Sequence, residues 1–149
     1  MNDLARPAEI LLVEDSPSDA ELTIAAIQAG KIDNNLHHVM DGVAALAFLR
    51  REEPYASAPR PDLILLDLNL PKKSGLEALR DIRSDLLLRN LVVVILTTSR
   101  DEKDILEAYG LNVNAYITKP VDIEQFFRTV ACLDKFYLRV VTLPPNSVK

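Results

Sequence analysis

The segment Leu63-Ile64-Leu65-Leu66-Asp67 decides the fold of this chain, because four consecutive apolar residues end there on a carboxylate. Buried strands of a parallel sheet read as short apolar runs of this kind. An acid has no packing reason to end such a run, since burying it without compensation is costly. Three further apolar runs also end on polar residues: residues 10–13 on Glu14 and Asp15, residues 91–96 on Thr97, and residues 115–118 on Lys119.

Segments of helical period separate these runs, so strand and helix patterns alternate along the chain. Ser16 is a favourable helix N-cap, and the proline that follows it suits the first helical position. Three prolines make residues 52–61 a loop. The pattern predicts strands at residues 10–13, 36–40, 62–68, 91–97 and 115–118, and helices at residues 17–29, 42–49 and 101–109, from Ser74 through Leu86, and from Asp122 along a stripe of Phe126, Val130, Leu133 and Tyr137.

Five β-α units in succession predict one α/β domain, in which a parallel sheet carries helices on both faces. Right-handed crossovers put the carboxyl ends of all its strands at one edge. Open α/β sheets bind their ligands at that edge, where the strand order reverses. Five polar residues are therefore expected to meet there: Glu14, Asp15, Asp67, Thr97 and Lys119.

Three carboxylates at one edge indicate a bound cation. Two like charges about 4 Å apart repel by roughly 4 kcal/mol at an effective dielectric constant near 20. The all-oxygen ligand set favours Mg²⁺, which keeps several waters and binds one or two carboxylates. We expect Asp15 and Asp67 to bind Mg²⁺ directly and Glu14 to act through water.

The same residues are suited to phosphoryl transfer. With a magnesium ion beside it, the Asp67 carboxylate can attack phosphorus as a nucleophile and form an aspartyl phosphate. Lys119 offers an ammonium group and Thr97 a hydroxyl group to the phosphoryl oxygens. The sequence thus predicts a site for one divalent cation and one transferable phosphoryl group.

In type, order and position, these five residues, together with Pro120, resemble the receiver domain of two-component response regulators. The likeness extends over residues 10–133. It implies a doubly wound, flavodoxin-like and CheY-like (βα)5 domain with strand order 2-1-3-4-5. It also implies that a histidine kinase supplies the phosphoryl group that Asp67 accepts.

The resemblance implies roles for further residues. Thr97 and Tyr116 would rearrange as a switch on phosphorylation, and the Lys119–Pro120 peptide bond would be cis. Asn69 would give its backbone carbonyl to the metal ion. The side chains of Asn69 and Ser99 would influence how long the phosphoryl group persists.

Three stretches resemble, more narrowly, the response regulators that partner bacterial and cyanobacterial phytochromes: residues 67–75, the proline-rich loop 52–61 and the tail 136–145. A phytochrome is therefore the expected kinase. One departure from the family is mild, because Glu14 replaces the aspartate often found first in the acidic pair. Glutamate keeps the carboxylate but places it one methylene group farther from the backbone.

Composition limits the number of domains, the partners and the cellular compartment that are expected for this chain. The chain has 149 residues, of which 48% are hydrophobic, enough for one sizeable core. A net charge of -5 disfavours nucleic acid as a partner, and no apolar run is long enough to span a membrane. The single Cys132 fits a reducing, cytoplasmic compartment. We expect an N-terminal arm at residues 1–7, the receiver domain at residues 8–136 and a C-terminal extension at residues 137–149.

Without an output domain in this sequence, the signal is expected to leave through protein contacts. The apolar extension either folds back on its own domain or lies in an interface with a second copy. We favour a homodimer formed through the fourth and fifth helices and this extension. The predicted interface residues are Tyr109, Phe136, Tyr137, Leu138, Val140 and Val141.

Rival interpretations remain. A receiver-like scaffold would act without phosphate, and a structural ion-pair cluster would have no turnover. A Mg²⁺-dependent aspartyl-phosphate phosphohydrolase commonly has an acid two residues after the nucleophile, where this chain has Asn69. A flavin carrier of similar fold needs hydroxyl groups and amides after the first strand, and Glu14-Asp15 would repel its phosphate.

Overall fold

The computed structural model describes residues 6–30, 33–98, 105–107 and 110–133. Its centre is a five-stranded parallel sheet in the order β2-β1-β3-β4-β5. This order and the alternation with helices confirm the predicted doubly wound α/β fold. The strands are β1 Ala8–Val13, β2 Asn34–Val39, β3 Leu63–Asp67, β4 Val93–Thr97 and β5 Ala115–Thr118.

The strand register places the functional ends of the strands side by side. Asp67 lies opposite Leu96, and Thr97 lies opposite Thr118. Both central strands β3 and β4 are buried along their whole length, as their unbroken apolar runs predict. The edge strand β2 is buried at Val39 alone.

Each complete helix begins at a residue whose side chain accepts a backbone N–H group three residues later. This arrangement satisfies donors that the first turn of a helix leaves unpaired. Serine and aspartate supply these caps, as predicted for the first, third and last helices. The helices are α1 Pro17–Ala29 capped by Ser16, α2 Gly42–Arg50 capped by Asp41, α3 Gly75–Ser84 capped by Ser74, and α5 Ile123–Ala131 capped by Asp122.

Residues 105–107 are also helical and belong to the predicted fourth helix, α4. Side chains of α1 and α5 pack on one face of the sheet, and those of α2 and α3 pack on the other. Within the described ranges, no helix is both long and apolar enough to cross a membrane.

Several predicted boundaries differ from the structure. Strands β1 to β4 begin or end one or two residues from the predicted positions, and the third and last helices end earlier than predicted. The third helix was expected to continue to Leu86, but α3 ends at Ser84 and Leu86 is 74% exposed. Asp85 ends the helix, because its carboxylate oxygen Oδ1 accepts the N–H group of Leu87 at 2.8 Å. In the last helix, α5 ends at Ala131, so Leu133 is buried beyond the helix.

Several predictions concern residues outside the described part of the chain. These are the lifetime position Ser99, most of the arm at residues 1–7, and the C-terminal extension. The predicted interface residues Tyr109, Phe136, Tyr137, Leu138, Val140 and Val141 lie outside it as well.

Candidate functional site

Three carboxylates meet at the carboxyl edge of β1 and β3. Oxygen atoms of Glu14, Asp15 and Asp67 lie within 4.8 Å of one another. Glu14 is fully buried, and its backbone N–H group continues the β1–β2 ladder by donating to the carbonyl oxygen of Val39 at 3.1 Å. Asp67 is the last residue of β3 and is 4% exposed. The strand ends therefore bring together the acids predicted from the sequence.

Lys119 follows β5 and reaches across the sheet edge to these acids. Its ammonium nitrogen Nζ lies 2.7 Å from Glu14 Oε1, 3.1 Å from Asp67 Oδ2 and 3.1 Å from Asp19 Oδ2. Its backbone N–H group donates to the carbonyl oxygen of Thr97 at 2.8 Å, which joins the ends of β4 and β5. The Lys119–Pro120 peptide bond is cis, as the resemblance implied.

The charges at this edge are not balanced. Burial raises the pKa of Glu14 to about 7, since Lys119 only partly offsets the cost of burial and the neighbouring Asp67 adds to the shift. Burial alone would lower the pKa of Lys119, but Glu14, Asp19 and Asp67 together raise it. Lys119 therefore remains a cation, and one cation faces several acids.

The donor set fits a hard divalent cation. Glu14 Oε1 is buried and forms an ion pair with the Lys119 ammonium group at 2.7 Å. A buried carboxylate and two further carboxylates nearby match the preference of Mg²⁺, and the cluster found among the described residues includes no cysteine or histidine. A cation would also reduce the repulsion among the acids.

The remaining described candidates lie around this cluster. Thr97 ends β4 and is 6% exposed. Tyr116, in the middle of β5, is half-buried against the core on the α2 and α3 face; its burial raises its pKa, and Glu107 contributes to the shift. Asn69 is exposed and donates its backbone N–H group to Asp67 Oδ1 at 3.2 Å.

Two glycines allow the loops at this edge to pack closely. A Cβ atom on Gly75 would lie 2.3 Å from the carbonyl oxygen of Asp67, and one on Gly42 would lie 2.1 Å from that of Lys73. Neither distance is sterically possible, so both positions require glycine for close backbone approach. The start of α3 is thereby packed directly against the backbone of Asp67.

Sequence reasoning missed one member of the site. Asp19 lies in the first turn of α1, where acids are generally favourable, so its residue type alone does not indicate a place in the site. In the structure its carboxylate contacts Lys119. The available signal was its position, because a helix that begins at the carboxyl edge turns its first residues toward the site.

Comparison with known families identifies the class of protein. Residues 10–131 match the family described as "Response regulator receiver domain". The chain therefore belongs to the response regulator receiver family. Members of this family act as signalling proteins rather than as conventional enzymes.

Individual relatives support a narrower likeness. "Response regulator Rcp1" of Synechocystis sp. is 45% identical over 97% of this chain and 99% of its own length. The crystal structure of the phosphorylated cyanobacterial phytochrome response regulator RcpA is 46% identical over 89% of this chain and 95% of that one, with a TM-score of 0.74. The Mn²⁺-bound form of response regulator Rcp1 is 46% identical over 93% and 99%, with a TM-score of 0.73. The similarity thus covers the whole described fold.

Proposed function

We propose that this protein is a response regulator whose Asp67 accepts a phosphoryl group from a histidine kinase. The single observation that carries this proposal is the contact of Asp67 with Lys119 inside a cluster of three carboxylates. A purely structural ion pair would need one acid for one base. The excess of acid is explained if the cluster holds a cation beside the acceptor.

The chemistry assigns a role to each residue. Glu14, Asp15, Asp67 and the backbone carbonyl of Asn69 would hold Mg²⁺, which would offset negative charge on the acids and on the phosphoryl oxygens. A carboxylate oxygen of Asp67 forms the new bond to phosphorus as the bond from phosphorus to the donor nitrogen breaks. The electron pair of the broken bond stays with the donor imidazole. Lys119 then donates to a phosphoryl oxygen.

Relay of the signal follows from the charge that phosphorylation adds, which approaches two negative charges. We propose that Thr97 and Tyr116 act as the switch, with Thr97 donating to the phosphoryl group and Tyr116 repacking on β5. Asn69 and Ser99 would set the lifetime of the phosphoryl group. The altered surface, rather than any reaction on another substrate, would carry the output.

The relatives support a phytochrome as the source of the phosphoryl group. RcpA is described as a cyanobacterial phytochrome response regulator, and its solved form is phosphorylated. The Mn²⁺-bound form of Rcp1 supports a divalent cation in this chain as well. We therefore propose a phytochrome kinase as the cognate donor, with residues 8–136 as the receiver domain.

The direct test of this function is the intact mass of the protein after incubation with acetyl phosphate and Mg²⁺. We expect one added phosphoryl group on the wild-type chain and none on Asp67→Asn or after chelation of the metal. A wild-type mass that stays unchanged, together with no binding of beryllofluoride, would favour the scaffold interpretation. Beryllofluoride binding without a detectable adduct would indicate a short-lived phosphoryl group.

We also propose that the protein forms a homodimer through the fourth and fifth helices and the extension at residues 137–149. Light scattering of the wild-type chain should give the mass of a dimer, and Leu138→Asp should shift it toward the monomer. A dimer that survives this substitution would argue that the extension folds on its own domain. A monomeric wild type would contradict the dimer itself.

A further inference from the structure

Lys119 has one acidic partner that lies outside the proposed metal cluster. Asp19 Oδ2 accepts a hydrogen bond from Lys119 Nζ at 3.1 Å, and the Asp19 side chain is 40% exposed. Asp19 lies in α1, whereas Glu14 and Asp67 lie at the ends of strands. Asp19 therefore reaches Lys119 from the solvent side of the site.

The first turn of α1 fixes the position of Asp19. Ser16 donates its backbone N–H group to Glu14 Oε2 at 3.1 Å, and its hydroxyl oxygen accepts the N–H group of Asp19 at 3.3 Å. The carbonyl oxygen of Asp19 in turn accepts the hydroxyl group of Thr23 at 3.0 Å. A chain of contacts thus runs from the buried acid through the helix cap to Asp19 and back to Lys119.

An ammonium group has three N–H donors, and in this site three carboxylates surround it. A phosphoryl group on Asp67 brings new oxygens that need a donor from Lys119. Glu14 and Asp67 belong to the proposed cation ligands, so a bound cation offsets their charge. Asp19 is not among those ligands and keeps its full attraction for Lys119.

We propose that Asp19 is a positioning residue that competes with the phosphoryl group on Asp67 for Lys119, and so weakens the hold of the site on that group. This inference rests on the proposed function. It predicts that removing the charge of Asp19 frees a donor of Lys119 for the phosphoryl oxygens. The geometry thus gives α1 an influence on the stability of the phosphorylated form.

The test is the affinity for beryllofluoride, a stable phosphoryl analogue, measured by ¹⁹F NMR at saturating Mg²⁺. Magnesium saturation is verified separately for each variant, because removal of an acid also changes metal affinity. We expect Asp19→Asn to bind beryllofluoride roughly two- to fivefold more tightly, the range typical of a partly exposed ion pair. Asp19→Glu, which keeps the charge, should remain near the wild type. Glu21→Gln, which removes an exposed acid from the same helix, should also bind beryllofluoride with an affinity near that of the wild type.

The outcomes separate the possibilities. Tighter binding in Asp19→Asn alone supports competition for Lys119, since a purely structural role would lower stability without raising affinity. Equal affinity in Asp19→Asn and the wild type would overturn the inference, and weaker affinity would show that Asp19 instead orients Lys119 for binding. A wild type that binds no beryllofluoride would overturn the proposed function and, with it, this inference.

Discussion

Two cations at opposite edges of the sheet are held in different ways. At the carboxyl edge, Lys119 lies among three carboxylates. At the amino edge, Arg83 at the end of α3 donates to three backbone carbonyl oxygens, those of Arg89, Leu91 and Asn112, each at 2.8 Å. It also donates to Asn114 Oδ1 at 3.1 Å. All four acceptors of Arg83 are neutral.

The difference shows which edge is built for stability. Arg83 joins the segments that precede β4 and β5, and Asn114 extends this network by accepting the N–H group of Val93 at 2.8 Å. Such a network satisfies fixed carbonyl groups and crowds no like charges together. At Lys119 the acids outnumber the base and one of them, Glu14, is fully buried, which is a costly arrangement without a ligand.

The largest effect on stability is expected at the amino edge. Arg83→Ala leaves several carbonyl groups without their donor and should lower the free energy of unfolding by about 3 kcal/mol, since hydrogen bonds to charged groups are strong and unsatisfied acceptors are costly. Urea unfolding measures the change. Binding of Mg²⁺ by the folded variant should match the wild type. A loss of Mg²⁺ binding in the folded variant would break the contrast between the edges.

A smaller loss of stability, but a loss of binding as well, is expected at Gly75. Gly75→Ala places a Cβ atom against the carbonyl oxygen of Asp67, and the resulting backbone shift should cost about 2 kcal/mol. This shift should displace the Asp67 carboxylate, so the variant should bind Mg²⁺ more weakly in a calorimetric titration. Gly110→Ala is the matched control, because it meets open space at a φ of 68° and should cost about 1 kcal/mol without changing Mg²⁺ affinity. Equal Mg²⁺ affinities in the two variants would contradict this account.

Glu14→Gln should separate stability from function. The folded-state pKa of Glu14 lies near 7, above the ordinary value of 4.5, so its ionisation disfavours folding increasingly from pH 4.5 to 7 and fully above that. At pH 8 without metal, the variant should be about 1 kcal/mol more stable, because a neutral amide avoids the net cost of ionising this buried group.

The same variant should lose the stabilisation that Mg²⁺ gives the wild type. At a metal concentration 100 times the dissociation constant, that stabilisation amounts to about 2.7 kcal/mol. Thermal unfolding with and without Mg²⁺ measures both effects. Glu124→Gln, which changes an acid in the first turn of α5, should respond to Mg²⁺ like the wild type. A Glu14→Gln variant that is still stabilised by Mg²⁺ would argue against Glu14 as part of the site.

The smallest effect is expected for an exposed pair at the amino edge. Arg6 donates two hydrogen bonds to Asp62, at 2.8 and 2.9 Å, and its side chain is 41% exposed. Arg6→Ala should therefore lower the free energy of unfolding by about 0.5 kcal/mol, as is usual for a surface ion pair. Chemical unfolding at low and high salt provides the check. A loss as large as that of Arg83→Ala would show that exposure does not explain the difference.

The sequence was sufficient to predict the sheet and the place where most of the candidate site residues meet. Acids at the ends of apolar runs are informative because strand direction and crossover handedness then determine where they meet. Glu14, Asp15, Asp67 and Lys119 meet as this reasoning predicts. These positions depend on the fold alone and not on side-chain detail.

What the sequence did not predict depends on local geometry. The contact between Asp19 and Lys119 requires the orientation of the first turn of α1, and the acceptors of Arg83 are backbone atoms of two loops. Neither the Asp19–Lys119 contact nor the set of Arg83 acceptors is indicated by a pattern of residue types in the sequence. The end of α3 was misplaced because Leu86 continues the apolar spacing, although Asp85 caps the chain there and leaves Leu86 exposed.

The contrast between the two edges is tested most directly by ¹⁵N NMR during a titration with Mg²⁺. Saturable shifts are expected for the amides of Glu14, Asp15, Asp67 and Asn69, with the amides of Asn112 and Asn114 unchanged. Addition of beryllofluoride should then move Thr97 and Tyr116. Absence of saturable shifts at the carboxyl edge, or equal shifts at the amino edge, would contradict the assignment of the acidic cluster as the metal and phosphoryl site.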